Sequence, residues 1–421
     1  VTLLAKYGNI DRTMTPDEVR QVVAEGVANV SLEGKRVLVI IPDSTRSAPI
    51  PLMFNVLYEQ LAKQVKRLDY LIALGTHQPM SDDAIDKLVG VSKDERIEAY
   101  PKSHVFNHHW DDPEQLTTIG TIGEGEMHTL TGGLVARETP IAINKLIFDY
   151  DQLFICGPVF PHEVAGFSGG AKYLFPGIAG QAIIDSSHWL GALSTSMDTI
   201  GVMDTPVRRM LHRAAEFVDK PITCFKMVVT DNDLHGLYVG DVYSAWQEAA
   251  TLSAQLHIHY VDTPFKRVLS MPSSKYDDLW TAAKAMYKTE PAIADGGEVI
   301  IYAPHLTEVS VTHGDLIKQV GYHVRDYFTK QWEQFRDVPW TILAHSTHVK
   351  GKGTFEDGIE TPRIRVTLAT SIPKEVCDAI NLGFRDYREL DPERWRDREH
   401  EGTLLVENAG EQLYRLSSST P

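Results

Sequence analysis

The chain has 421 residues, 43% of them hydrophobic and 23% charged, with a formal net charge of −16 and only three cysteines. That length allows two or more domains, each with its own core, while the acidic balance without any lysine- or arginine-rich run excludes an extended nucleic-acid surface. No stretch approaches the roughly 18 uncharged apolar residues of a membrane span, and Cys156, Cys224 and Cys377 are too far apart for a Cys-x-x-Cys site or a disulfide framework, so a reducing cytoplasm is expected.

At the start, Val1 to Tyr7 has too short an apolar run for a signal peptide. Thr15-Pro16-Asp17-Glu18 reads as an N-cap, a first-turn proline and first-turn acids, which predicts a helix through Ala28. Arg36 to Pro42 is a β-branched run suited to a strand buried on both faces of a parallel sheet, and it delivers Asp43-Ser44-Thr45-Arg46 to the strand's carboxyl end. In open α/β sheets that end is where ligands bind. A helix near Leu52 to Lys66 and a second buried strand, Leu68 to Leu74, repeat the pattern and bring Gly75-Thr76-His77 to the same rim. Taken singly, Asp43 reads better as a helix cap than as a functional group, and His77 divides evenly between the two readings. Between Val105 and Thr131, histidines among glycines and threonines predict short antiparallel strands, with His104, His108, His109 and His128 structural or peripheral. Strands at Ile141 to Leu146 and Gln152 to Gly157 follow.

The second of these runs into Pro161-His162-Glu163-Val164-Ala165-Gly166-Phe167-Ser168-Gly169-Gly170-Ala171-Lys172, a loop whose closely spaced glycines allow positive φ and near approach of the backbone to an anion. It is not a Walker loop, since Ala171 separates the last glycine from the lysine and Tyr173 stands where a hydroxyl would hold magnesium. By glycines alone, a tight structural turn is as good a reading. His188 follows on the helix predicted from Ile178 to Leu193.

Helices are predicted at Thr205 to Phe217 and Tyr243 to His257, strands at Thr223 to Thr230 and Leu237 to Gly240, and a domain boundary near Asp262-Thr263-Pro264. Beyond it, strands at Arg267 to Pro272, Glu298 to Pro304, Trp340 to His345 and Arg363 to Leu368 alternate with helices at Asp277 to Lys288 and Gly314 to Phe335. Trp280 and Lys284 share a helix face, where Lys284 is either a snorkelling surface group or an anion-binding one. A hairpin around Asn408-Ala409-Gly410 and a frayed polar tail end the chain. The expected architecture is therefore α/β, two α/β domains with mainly parallel sheets: 1–263, 264–400, and a C-terminal extension, 401–421, packing back on the N-terminal domain.

With Asp43-Ser44-Thr45-Arg46, Gly75-Thr76-His77, the His162 to Lys172 loop and His188 together in order, the sequence resembles the nickel-dependent lactate racemase family. The resemblance implies an active site in the interdomain cleft and a nickel-pincer nucleotide, a pyridinium mononucleotide that holds nickel through a ring carbon and two sulfurs. It implies covalent attachment of that cofactor at Lys172, a metal ligand at His188, and an acid/base pair at His77 and His162. By the same resemblance Asp43, Thr45, Ser168, Gly169 and Gly170 lie at the nucleotide, and Arg46, Trp280, Thr281 and Lys284 at the substrate. The host is then expected to make the cofactor, and the substrate to be a small anionic 2-hydroxy acid. Members acting on lactate have an aromatic residue and a glutamine before the pocket lysine; Trp280-Thr281 departs from this and points to another 2-hydroxy acid, racemised or epimerised. Competing readings are redox or dehydration chemistry on a sugar acid with the same cofactor, a non-catalytic nucleotide-binding protein, and a zinc hydrolase, the last disfavoured because no His-Glu-x-x-His is present.

Overall fold

The computed structural model describes residues 2–417, so the tail expected to fray at 418–421 lies outside the described residues. The chain divides into two compact units: 1–160 with 167–184 and 208–256, and 161–166 with 185–207 and 257–421. The second unit's long segment begins at His257, a few residues before the turn-rich junction read from sequence. Two short pieces of the N-terminal half also belong to it.

The first unit is built on a seven-stranded sheet in the order Leu3–Gly8, Asp233–Gly240, Ile222–Thr230, Gln152–Pro158, Arg36–Ile41, Arg67–Ile72, Val105–Asn107. The five strands from Ile222–Thr230 onward are parallel, and the first two make an antiparallel edge. Residues 37–41 and 68–72 are wholly buried, which is why these strands read as continuous apolar runs. Helix Pro16–Val27 opens with the expected capping box, Thr15 and Glu18 each satisfying the other's backbone N–H, and packs Val19, Val22 and Val23 into the core. Where short strands alone were expected, the region 105–131 also holds a helix, Glu124–Thr131. His108 is structural there: Nε2 donates to the Ala179 carbonyl at 3.0 Å, Nδ1 accepts from Asn144, and burial lowers its pKa to about 4.

The second unit has a five-stranded parallel sheet, Gly383–Phe384, Arg365–Thr370, Ile293–Ala303, Phe265–Pro272, Thr403–Ala409. The α/β class with mainly parallel sheets thus holds. Several expectations need correction. Trp340–Lys350 is a helix and not a strand; residues 341–350 are all buried, so no polar face marks its period. The helical region 314–335 is three short helices, Gly314–Val320, Arg325–Lys330 and Trp332–Phe335, and the helix at 277–288 is two, Leu279–Ala282 and Lys284–Tyr287. No hairpin forms about Asn408: Thr403–Ala409 pairs in parallel with Phe265–Pro272, and Leu413–Leu416 pairs in parallel with Ile258–Val261. Thr403–Ala409 and Leu413–Leu416 therefore make their ladder hydrogen bonds inside the second unit. No helix of the described residues is long and apolar enough to cross a membrane.

Candidate functional site

In the first unit three neighbouring parallel strands, Gln152–Pro158, Arg36–Ile41 and Arg67–Ile72, end on one rim, and each delivers one of the motifs. After Ile41 comes Asp43, 6% exposed. One of its carboxylate oxygens accepts the Thr45 backbone N–H at 3.1 Å and hydroxyl at 2.6 Å; the other lies 2.5 Å from His77 Nδ1. Burial works against the Asp43 charge, but His77, Thr45 and Arg46 outweigh it and hold the carboxyl far below its ordinary range. An ionised Asp43 can only accept, so Nδ1 of His77 carries the proton and Nε2 is left as the basic nitrogen. Asp43 is therefore more than a helix cap. Gly75, with φ +55°, turns the chain and donates its N–H to Gly177 at the far end of the glycine loop, which joins the second and third motifs.

The loop is held from beneath. Arg208 Nη1 donates to the Gly169 carbonyl at 3.0 Å and Nη2 to that of Phe167; Trp246 Nε1 donates to the Ser168 carbonyl at 2.9 Å. Ser168, expected at the cofactor, also ties the loop to its strand: its N–H donates to the Phe160 carbonyl and its Oγ accepts the Phe160 N–H. Gly169 and Gly170 have φ of +79° and +60°, and a Cβ would come within 2.7 Å of Val159 at the first and 3.0 Å of Trp246 at the second. Packing as well as conformation thus demands these glycines. Lys172 follows in a short 3-10 turn, Gly170–Tyr173. Under Tyr173 lies Lys226, fully buried, its Nζ 4.4 Å from the ring centroid and without a hydrogen-bond partner among the described residues. Burial lowers its pKa to about 8.

The second unit holds His162, His188, Trp280, Thr281 and Lys284. His162 is buried, and its Nδ1 accepts the Val164 N–H at 3.1 Å. The Glu163 carboxylate, 3.4 Å from the same nitrogen, is beyond a good hydrogen bond, so the neutral ring carries its proton on Nε2. His188 lies on helix Gln181–Ser194 with Nδ1 3.4 Å from Ser187 Oγ. Lys284 is buried, not a snorkelling surface group; its amine turns back to the Thr281 carbonyl at 3.2 Å and sits over the Tyr276 ring. Thr281 is fixed by Asp278, which accepts both its N–H and its hydroxyl.

Sequence reasoning missed His345 and His348, because their helix was read as a strand. His345 stacks on Trp280 at 3.9 Å between centroids, its Nε2 donating to the Trp280 carbonyl at 3.1 Å. His345 Nδ1 and both nitrogens of His348 are buried without partners among the described residues. Burial lowers their pKa values to about 3 and about 4, although the Glu163 charge pulls the other way. Arg208, Trp246 and Lys226 were missed too; a buried cation inside a β-branched run, as at Lys226, was the available signal.

The N-terminal domain family of lactate racemase matches residues 17–201, which contain every first-unit motif together with His162 and His188. The lactate racemase of Thermoanaerobacterium thermosaccharolyticum is 25% identical over 283 residues, and that of Lactiplantibacillus plantarum 23% over 275. Residues 17–201 are thus similar to the N-terminal domain of lactate racemase. Each of those matches covers 64% of this chain and 60% of the relative's length. A crystal structure of a Thermotoga maritima protein is 32% identical, covers 98% of this chain and all of its own, and superposes with a TM-score of 0.89. The lactate racemase apoprotein of T. thermosaccharolyticum shares the fold at a TM-score of 0.70 and 20% identity, over 96% of this chain and 93% of its own.

Proposed function

We propose that the chain is a racemase or epimerase of a 2-hydroxy acid, dependent on a nickel-pincer nucleotide and acting in the cytoplasm. The observation that carries the reading is the Asp43–His77 pair, set beside the glycine loop on neighbouring strand ends within the segment similar to the N-terminal domain of lactate racemase.

The residues suit an anionic nucleotide. The Phe167, Ser168 and Gly169 carbonyls are turned onto Arg208 and Trp246, and the Lys226 ammonium lies buried beneath Tyr173, so the loop rests on two buried cationic side chains. Lys172 would carry the cofactor covalently, with Asp43, Thr45, Ser168, Gly169 and Gly170 at the nucleotide. Among the described residues no three His, Cys, Asp or Glu side chains are grouped to hold a metal. A metal that arrives with a ring carbon and two sulfurs needs one more donor, and the His188 imidazole would supply it. The chemistry such a cofactor contributes when bound is reversible uptake of the α-hydrogen with its electron pair.

The protein's own part is acid–base work and orientation. Direct deprotonation at the α-carbon of a carboxylate is hard, whereas removing the hydroxyl proton as the α-hydrogen leaves as hydride gives a planar 2-keto acid. His77 presents a basic Nε2 and His162 an Nε2–H, so one ring is set to accept the hydroxyl proton of one configuration and the other to deliver a proton to its mirror form. The roles exchange in the reverse direction. Arg46 and Lys284 hold the carboxylate, which fixes the intermediate while its two faces exchange. Trp280 and Thr281, which stand where lactate-acting members have an aromatic residue and a glutamine, favour a 2-hydroxy acid other than lactate.

Loss of optical purity across a panel of 2-hydroxy acids, with no external electron acceptor consumed, tests the reaction. Intact-mass and nickel analysis of protein from a cofactor-making host tests the attachment. Mass added at Lys172 and bound nickel are expected. Absence of both would favour a non-catalytic nucleotide-binding protein.

A further inference from the structure

Asp278 stands at the start of helix Leu279–Ala282 and is buried. Its carboxylate bonds in two directions. Within the turn that it opens, Oδ1 accepts the Thr281 N–H at 3.0 Å and the Thr281 hydroxyl at 2.8 Å. Outside that turn, Oδ2 accepts the backbone N–H of Val311 at 3.0 Å, 33 residues further along the chain.

The segment around Val311 is joined to the same turn by its backbone. The Leu279 N–H donates to the Glu308 carbonyl at 3.1 Å and the Trp280 N–H to the Val309 carbonyl at 3.0 Å. These are first-turn donors that a helix cannot satisfy within itself, so the segment 308–311 and the Asp278 carboxylate complete the helix start together. A cap alone needs only the bond to Thr281. The bond to Val311 makes a clasp, and two residues beyond it the His313 ring lies 4.8 Å, centroid to centroid, from the Trp280 ring on which His345 stacks. Trp280 and Thr281 are also what this stretch of chain shows to its surroundings: from 278 to 293 every other residue is buried. The Lys284 amine, 3.2 Å from the Thr281 carbonyl and 4.7 Å from the centroid of the Tyr276 ring, takes its direction from that carbonyl.

We infer that Asp278 is a positioning residue for the substrate: by clasping 308–311 to the Trp280–Thr281 turn it holds the indole, the Thr281 hydroxyl and the Lys284 ammonium in one arrangement. The inference rests on the racemase reading, in which Lys284 holds the substrate carboxylate. An ammonium that has lost its aim binds that carboxylate less well in the ground state and the transition state alike, so the loss falls on KM and not on kcat.

Two variants test this. Asp278→Ala removes both directions of bonding, whereas Asp278→Asn keeps the shape but presents an amide nitrogen that cannot accept, so one direction is lost. In the cofactor-loaded enzyme, on the 2-hydroxy acid that the wild type racemises fastest, Asp278→Ala should raise KM about tenfold or more and Asp278→Asn less, with kcat within about threefold. A residue that only stabilised the unit would lower kcat through the folded fraction and leave KM unchanged. Hydrogen exchange of the cofactor-free protein reads the clasp without turnover. The amides of Thr281 and Val311 should exchange about tenfold faster in Asp278→Ala, and one of the two in Asp278→Asn, while strand Ile293–Ala303 exchanges as in the wild type. If Asp278→Ala folds poorly by circular dichroism, Asp278→Asn supplies both readings. Unchanged exchange in a folded variant, or a loss of kcat at constant KM, would overturn the assignment. A wild type inactive on every acid, with the expected exchange, would overturn the racemase reading and with it the substrate role, the clasp standing.

Discussion

The rim of the first unit and the histidine cluster of the second use the same side chain in opposite ways. His77 is partly exposed, and a carboxylate held ionised by three neighbours fixes its tautomer. His345 and His348 are buried, stacked or unpartnered, and kept neutral by loss of solvent. A ring anchored by a charge is prepared to exchange a proton. A desolvated ring is prepared to make hydrogen bonds without taking one up.

Several variants break or sharpen this contrast. The largest effect is expected at Lys172→Ala, which should abolish racemisation and the added mass together while the protein stays folded, as checked by optical assay, mass spectrometry and circular dichroism. Next, Asp43→Asn keeps the shape beside His77 but loses the charge that fixes its tautomer; kcat should fall by about 10²- to 10³-fold. If it fell no further than in a surface variant, Asp43 would be only a cap.

In the second unit the expected signal is acid sensitivity. The folded pKa of His345 is about 3, below the unfolded value near 6.5, so the unfolded state binds the proton first and stability falls as pH drops through that window. Urea unfolding between pH 7 and 4 should show a loss of roughly 3 kcal/mol from this ring. His345→Phe, which preserves the stack on Trp280, should remove it. The smallest effect concerns Lys226. Its folded pKa of about 8 lies below the unfolded 10.5, so its destabilising effect is complete below pH 8 and is relieved as pH rises toward 10.5. Lys226→Met should stabilise the cofactor-free protein by about 2 kcal/mol at pH 7, read by urea midpoint, and should lower cofactor retention.

Much of the first unit was legible in the sequence. Arg36–Ile41 and Arg67–Ile72 are apolar runs of strand length whose polar continuations fall at the carboxyl ends, so the residue pattern alone puts Asp43 and His77 on one rim. The second unit was less legible for a definite reason. Helix Trp340–Lys350 is buried on every side, and an element without a wet face shows no period to separate helix from strand. One missed signal was readable: Asp357-Gly358, with φ of +50° and +79°, turns the hairpin Gly353–Glu356 and Ile359–Pro362.

The sequence by itself determined the fold class and the motifs Asp43-x-Thr45-Arg46, Gly75-Thr76-His77 and His162 to Lys172, because strand period, glycine conformation and the ordered residue types of a family are local properties. Only the tertiary structure decided that Arg208 and Trp246 carry the glycine loop, that Lys226 lies buried beneath Tyr173, and that His345 stacks on Trp280. Those contacts join residues tens of positions apart. Burial, which sets their charge, is a property of the packed chain and not of any stretch of it.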